Sequence, residues 1–242
     1  MPARNNVRFF AVLLALVGVV RTVGQTPQAP ADAAAATVPA DINAPFLARD
    51  IDVEEWVRRF EVESREIFRA YPTIVSRLKL QPGERIADVG AGTGLFIESF
   101  SRGVGPDGWV YAIEIAPAFL ERIGAMAEIR RLTNVTPVLA AQDDVRLPPD
   151  SIDVAFICDV YHHFEQPQAS LASLRRALKP GGRLVVIDFE RIAGVSREWT
   201  FEHVRAGKEV FRSEIEAAGF RFKEEVLVRE FKENYFLIFG NP

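Results

Sequence analysis

From residue 51 to the carboxyl terminus the chain switches between two hydrophobic rhythms. After Asp52, the residues Val53, Trp56, Val57, Phe60, Ile67 and Phe68 recur at helical spacing, with Arg58, Arg59, Glu61, Glu63, Arg65 and Glu66 between them. This pattern predicts a lead helix with Asp52 as its N-cap and Pro72 marking the end of that segment. Short unbroken apolar runs then follow at 86–89, 109–113, 138–141 and 154–158, the signature of buried strands. A helix opens over 95–101. Toward the end, 197–205 is polar and aromatic, 208–218 reads as a helix closed by Gly219, and 222–228 and 234–239 read as strands.

Each early strand stops at a chemically distinctive residue. The first runs into Asp88 and then Gly90, Ala91, Gly92, Thr93 and Gly94, three glycines at alternate positions. Glycine permits backbone angles and close ligand approach that a Cβ would block. The strand, loop and helix together present N–H groups that can receive a polar ligand. A dinucleotide fingerprint would space its glycines as G-x-G-x-x-G, but Leu95 stands where its last glycine should fall. A nucleotide-linked oxidoreductase is therefore a disfavoured alternative.

The G-x-G-x-G loop resembles motif I of the class I S-adenosylmethionine (SAM) dependent methyltransferases, in which it wraps the amino-acid end of a ligand without a pyrophosphate. Residues 153–164, which include Asp159, Tyr161, His162, His163 and Phe164, resemble motif IV and the "LHH" stretch of the type 11 group. That group includes quinone-ring C-methylating enzymes. Residues 179–188, opening Lys179-Pro180-Gly181-Gly182, resemble its "KPGG" turn and fifth strand. The ordered matches cover about residues 75–188. They imply an α/β fold, the Rossmann-like three-layer sandwich of that class. Its seven-stranded, mostly parallel sheet has order 3-2-1-4-5-7-6 with strand 7 antiparallel.

The resemblance also implies SAM as cofactor, and it assigns roles by position. Glu114, at the end of the second run, would accept from both ribose hydroxyls, and Ile115 would lie against adenine. An acid after the third run would accept from the adenine amino group; Asp143 matches that register best and Asp144 follows. Asp159 would line the methionine or methyl end. Methyl transfer from a sulfonium needs chiefly orientation and exclusion of water, and a base only if the acceptor must lose a proton. Asp159, Tyr161, His162 and His163 are the candidate groups, histidine being the one that titrates near neutrality. The competing role for the histidine pair is a helix cap or hydrogen bonding within the loop.

The third histidine, His203, is remote in sequence, and the trio lacks the i, i+4 spacing of a helical zinc site, so no metal is expected. Glu202 and His203 are expected to help close the acceptor pocket. The acceptor is expected to be a small molecule, since no added domain exists to grip a protein or nucleic acid. A SAM-binding protein without transferase activity is the alternative.

Composition agrees with one catalytic domain. Of 242 residues 48% are hydrophobic, enough for one sizeable core. The formal charge is −4 with both signs interspersed, so there is no basic stripe for nucleic acid and no polybasic membrane patch. Arg4 and Arg8 precede an apolar run over 9–20, which is a signal-peptide core in length and short of a bilayer span. The expected organisation is a signal peptide or membrane anchor at 1–24, a flexible linker rich in Ala, Pro, Thr and Gln at 25–50, and the methyltransferase domain at 51–242. Export to the periplasm or outside is expected, with membrane association only through that amino-terminal segment. The alternative is a cytoplasmic chain. The single cysteine, Cys158, excludes an intrachain disulfide and leaves the compartment open.

Overall fold

Helices and seven strands succeed one another along the described residues. In the computed structural model, Met1 and residues 41–48, 50–63 and 65–242 are described. The expected leader and most of the expected linker lie outside the described residues. The strands are β1 (Arg85–Val89), β2 (Trp109–Glu114), β3 (Val135–Leu139), β4 (Ile152–Cys158), β5 (Leu178–Phe189), β6 (Arg221–Glu225) and β7 (Asn234–Gly240). The helices are α1 (Val53–Glu63), α2 (Arg65–Leu78), α3 (Ile97–Val104), α4 (Pro117–Ile129), α5 (Pro167–Ala177), α6 (Glu198–His203) and α7 (Lys208–Ala217).

One sheet results, in the order β3-β2-β1-β4-β5-β7-β6. Strands β1 to β5 pair in parallel, and only β7 runs against its neighbours β5 and β6. This is the topology that the resemblance implied. The period-two alternation of the central strands feeds two cores. Ile86, Val110, Val154, Phe156, Val185, Ile187 and Phe236 pack with residues of α2, α3 and α4. Ala87, Val89, Ala155, Ile157, Leu184, Val186 and Leu237 pack with residues of α5 and α7 on the other face. Burial on both faces is why the central strands read as continuous apolar runs. The edges are managed differently: β3 carries Pro137, and β6 is largely exposed with Lys223, Glu224 and Glu225.

Two expectations are corrected. Pro72 does not end a helix; it lies inside α2, which continues to Leu78. An interior proline costs about 3 kcal/mol through one lost hydrogen bond and a clash, but burial of Ile67, Ala70, Ile74 and Leu78 along one face offsets it. Asp52 caps α1 as expected, accepting a 3.0 Å bond from the Glu55 N–H. Finally, residues 41–48, expected in the linker, are folded. They include a 3-10 turn at Ala44–Phe46 and the buried Ile42 and Asn43.

Among the described residues no helix is long and apolar enough to cross a membrane.

Candidate active site

The carboxyl ends of β1, β2 and β4 open into one cavity, the position where open α/β sheets bind ligands. Its wall at β1 is the glycine loop. The N–H groups of Gly90 and Ala91 both donate to the Ile113 carbonyl, at 2.8 and 3.0 Å, which folds the loop back over β2. Gly90 has φ +71°, and a Cβ there would meet Val160 at 2.5 Å. No other residue fits. Asp88, Gly90, Ala91, Gly92 and Thr93 line the cavity. Gly94 does not: it sits with φ +87° against Ile123 and Met126 of α4, so its glycine serves helix packing.

Glu114 and Ile115 also line the cavity. The Glu114 carboxylate is only 7% exposed and accepts three backbone N–H groups: Gly92 at 2.9 Å on Oε2, and Ile115 at 2.6 Å and Ala116 at 3.1 Å on Oε1. It therefore braces the glycine loop as well as facing the ligand space. Burial raises its pKa, and the three N–H donors oppose the rise. Beside it, Asp88 is 3% exposed, and burial together with the Glu114 charge pushes its pKa up to about 8. A ligand carrying positive charge would relieve both acids.

These features fit SAM, which has a cationic amino-acid end and a ribose. The buried carboxyl pair suits the charge, and the cradle that a Cβ would fill suits close approach of the ligand to the backbone.

Of the adjacent acids after β3, only one lines the cavity. Asp144 lines the cavity, with its carboxylate held by the Arg146 N–H at 2.7 Å and Arg176 at 2.9 Å. Asp143 is exposed and lies outside the lining, so the register that favoured it is corrected. A one-residue turn offset at the end of β3 is enough to exchange two neighbours.

Asp159 follows β4 with φ +54°, unusual for a non-glycine residue. Its N–H donates to the Ile187 carbonyl at 2.9 Å, and its Oδ1 accepts from Asn234 at 3.0 Å, so β5 and β7 together hold the strained conformation. From there Asp159 borders both the cofactor cavity and a second, smaller one. Cys158 lines the first cavity, with its thiol pushed well up by burial and by the charges of Asp159, Asp88 and Asp188. It is no nucleophile in this setting.

The second cavity is lined by Pro45, Phe46, Trp56, Arg59, Phe60, Trp199 and the three histidines. His162 and His163 belong to a 3-10 turn, Tyr161–His163, after β4. The turn is anchored from beneath. Tyr161 donates to Glu214 Oε2 at 3.0 Å, and Arg205 pairs with the same carboxylate at 2.6 and 2.5 Å. His162 is 1% exposed; its Nδ1 lies 2.8 Å from Asp188 Oδ1, and its N–H donates to Asp188 Oδ2 at 3.1 Å. That satisfies the loop-bonding role weighed for the pair. His163 borders both cavities, and burial, then the charges of His162 and His203, hold its pKa well below the usual imidazole value.

His203 arrives on α6, stacked on Trp199 at 4.7 Å between ring centroids, with its Nε2 3.3 Å from that of His163. Burial, then the charges of His162 and Arg59, lower its pKa to about 4. Sequence spacing had separated His203 from the pair; the fold unites them. Glu202 is exposed and does not line either cavity. The folded segment at 41–48 supplies the remaining wall. Asn43 donates to the His163 carbonyl at 3.0 Å and to Glu165 at 2.9 Å, and Phe46 packs on Trp56, Phe60 and His163. Asn43 and Phe46 were not foreseen, and nothing in the local sequence marks them.

Comparison with known proteins agrees with this geometry. Residues 87–186 match the family described as a methyltransferase domain, type 11. A ubiquinone/menaquinone biosynthesis C-methyltransferase, UbiE, of Cupriavidus metallidurans is 30% identical over 122 residues, covering 49% of this chain and 48% of that one. The UbiE of Burkholderia orbicola is 28% identical over 118 residues, with 49% and 48% covered. The chain thus spans about half the length of the curated relatives it matches. Among solved structures, a SAM dependent methyltransferase from Aquifex aeolicus superposes with TM-score 0.64 at 23% identity, covering 71% of this chain and 89% of that one. The 4+2 cyclase SpnF superposes at 0.60 with 19% identity, covering 70% and 79%. These structural likenesses bear on the fold alone. The matched domain, the strand order and a cavity suited to the cofactor together support a class I SAM-dependent methyltransferase.

Proposed function

We propose that this protein transfers the methyl group of SAM to a small organic acceptor bound in the second cavity. The observation that carries the reading is the shared wall. Phe46, Phe60, Asp159 and His163 border both cavities, so a ligand in one lies directly beside a ligand in the other. SAM supplies an electrophilic methyl group on a sulfonium. The chain's own residues do the rest: the glycine loop and Glu114 seat the cofactor, and the aromatic lining excludes water and orients the acceptor. A neutral His163 at the boundary is able to take a proton from an acidic acceptor. The matched UbiE relatives are C-methyltransferases of quinone biosynthesis by name, which supports phenols and hydroxyquinones as first candidates.

Calorimetry with SAM, S-adenosylhomocysteine and NAD tests the cofactor, and methyl-labelled SAM with a panel of phenols, hydroxyquinones and thiols tests the reaction. Binding of the first two ligands without NAD, and label in at least one acceptor, is the expected outcome. Preference for NAD would overturn the proposal. Binding without any turnover across a broad panel would favour a non-catalytic SAM-binding protein.

We also infer that the protein acts outside the cytoplasm, led there by the basic and apolar amino-terminal segment. Fractionation with amino-terminal sequencing tests this; an intact chain in the soluble cytoplasm ends it.

A further inference from the structure

The chain contains three histidines in all, and the fold brings every one of them to the second cavity. His162, His163 and His203 each offer a ring nitrogen, and these atoms lie within 4.8 Å of one another. We propose that the three imidazoles form a binding site for one divalent transition-metal ion of the zinc class, with a fourth position open toward the acceptor.

Three features of the geometry carry this. First, the Nε2 atoms of His163 and His203 are 3.3 Å apart. Two nitrogens at about 2.05 Å from a tetrahedral ion are separated by about 3.3 Å, so this pair already spans one edge of such a site. Second, Asp188, fully buried, accepts from His162 Nδ1. A carboxylate on the far nitrogen fixes the tautomer and leaves Nε2 as a lone-pair donor, the usual support of a metal-ligating histidine. Third, His163 keeps an enclosed Nδ1 with no hydrogen-bond partner, and its Nε2 meets only another imidazole. A half-buried imidazole with an enclosed nitrogen so poorly served calls for a ligand.

Three nitrogen donors with an open position match the pattern of catalytic rather than closed structural sites. The consequence for the acceptor rests on the methyl-transfer reading: a hydroxyl or thiol placed at the fourth position loses its proton to solvent, and its conjugate base is held as the fourth ligand. Arg59, which also lines this cavity, adds positive charge beside that anion. The ion site itself stands whether or not the cofactor binds.

The test uses untagged full-length protein, stripped with a chelator and dialysed. Zn²⁺ is titrated by calorimetry, and Co²⁺ by its visible absorption. One ion per chain is expected, with a Co²⁺ spectrum of low coordination number. His203→Ala is expected to weaken binding at least about tenfold, and Asp188→Asn by about 10–100-fold. Affinity for S-adenosylhomocysteine should be unchanged in His203→Ala, which shows that the variant is folded; should it fail to fold, His203→Gln serves in its place. Absence of saturable binding, or binding undiminished by substitutions at both His163 and His203, overturns the site. Loss of cofactor binding in the parent protein would instead strike the methyl-transfer reading and leave the ion titration standing.

Discussion

The two cavities on either side of Asp159 are built on opposite principles. The cofactor cavity is formed by continuous strand-to-loop segments at the ends of β1, β2 and β4, and its buried acids are pushed toward neutrality. The second cavity is assembled from four remote pieces, at 42–46, 56–60, 159–163 and 199–203, and burial and neighbouring charges lower the pKa of its His163 and His203 imidazoles. A shared cofactor is thus met by chemistry fixed in the sheet. On the proposed reading, the acceptor is met by side chains that separate elements carry to the second cavity.

Breaking each side separately sharpens that contrast. The largest effect is expected beneath the acceptor cavity, where Arg205 and Glu214 form an enclosed pair under the histidine turn. Arg205→Ala strips the Glu214 carboxylate of its ion-pair partner, leaving it only the Tyr161 hydroxyl, and should cost about 3–5 kcal/mol of stability in denaturant unfolding. On the cofactor side, Gly90→Val drives a side chain into Val160 at a left-handed φ. Calorimetry should show at least about a hundredfold loss of S-adenosylhomocysteine affinity, or about 3 kcal/mol. Retained affinity would show that the loop is not the seat.

A pH series probes the acids. Asp88 has a folded pKa raised to about 8 from 3.8, so the unfolded chain gives up this proton first. Its contribution to stability is therefore whole below about pH 4 and is lost as pH rises to about 8, on the order of a few kcal/mol. The melting temperature of the cofactor-free Asp88→Asn variant should gain on that of the parent as pH rises from 5 to 8. Parallel curves would remove the assignment. The smallest effect is expected from Trp199→Ala, which removes the face on which His203 stacks. The acceptor KM should rise about tenfold, some 1–1.5 kcal/mol, with cofactor affinity unchanged.

The same contrast explains what the sequence made legible. Asp88, the glycine loop, Glu114 and Ile115 were readable because a strand, its turn and the ligand contact are neighbours in the chain. The two faces of the sheet were readable from apolar runs. Gly94 was misread because a glycine demanded by α4 packing looks the same as one demanded by a ligand. The register favours Asp143 over Asp144, but one residue of turn geometry decides which faces the cavity. His203 was set aside because ligand spacing along a helix is a local test, while α6 reaches the site through tertiary ties. The Glu233 carboxylate accepts from the Arg197 N–H at 3.0 Å and from the Thr200 hydroxyl at 3.4 Å, fixing the start of that helix. Pro72 misled for a related reason: local helix penalty was weighed without the burial that overrides it.

The thin partition of Phe46, Phe60, Asp159 and His163 makes the two chambers adjoining rooms with a common door. A single synthetic molecule that joined a nucleoside to an aromatic fragment by a short bridge would occupy both at once. Its avidity would exceed that of either half, because the second half would bind at the effective concentration set by the bridge.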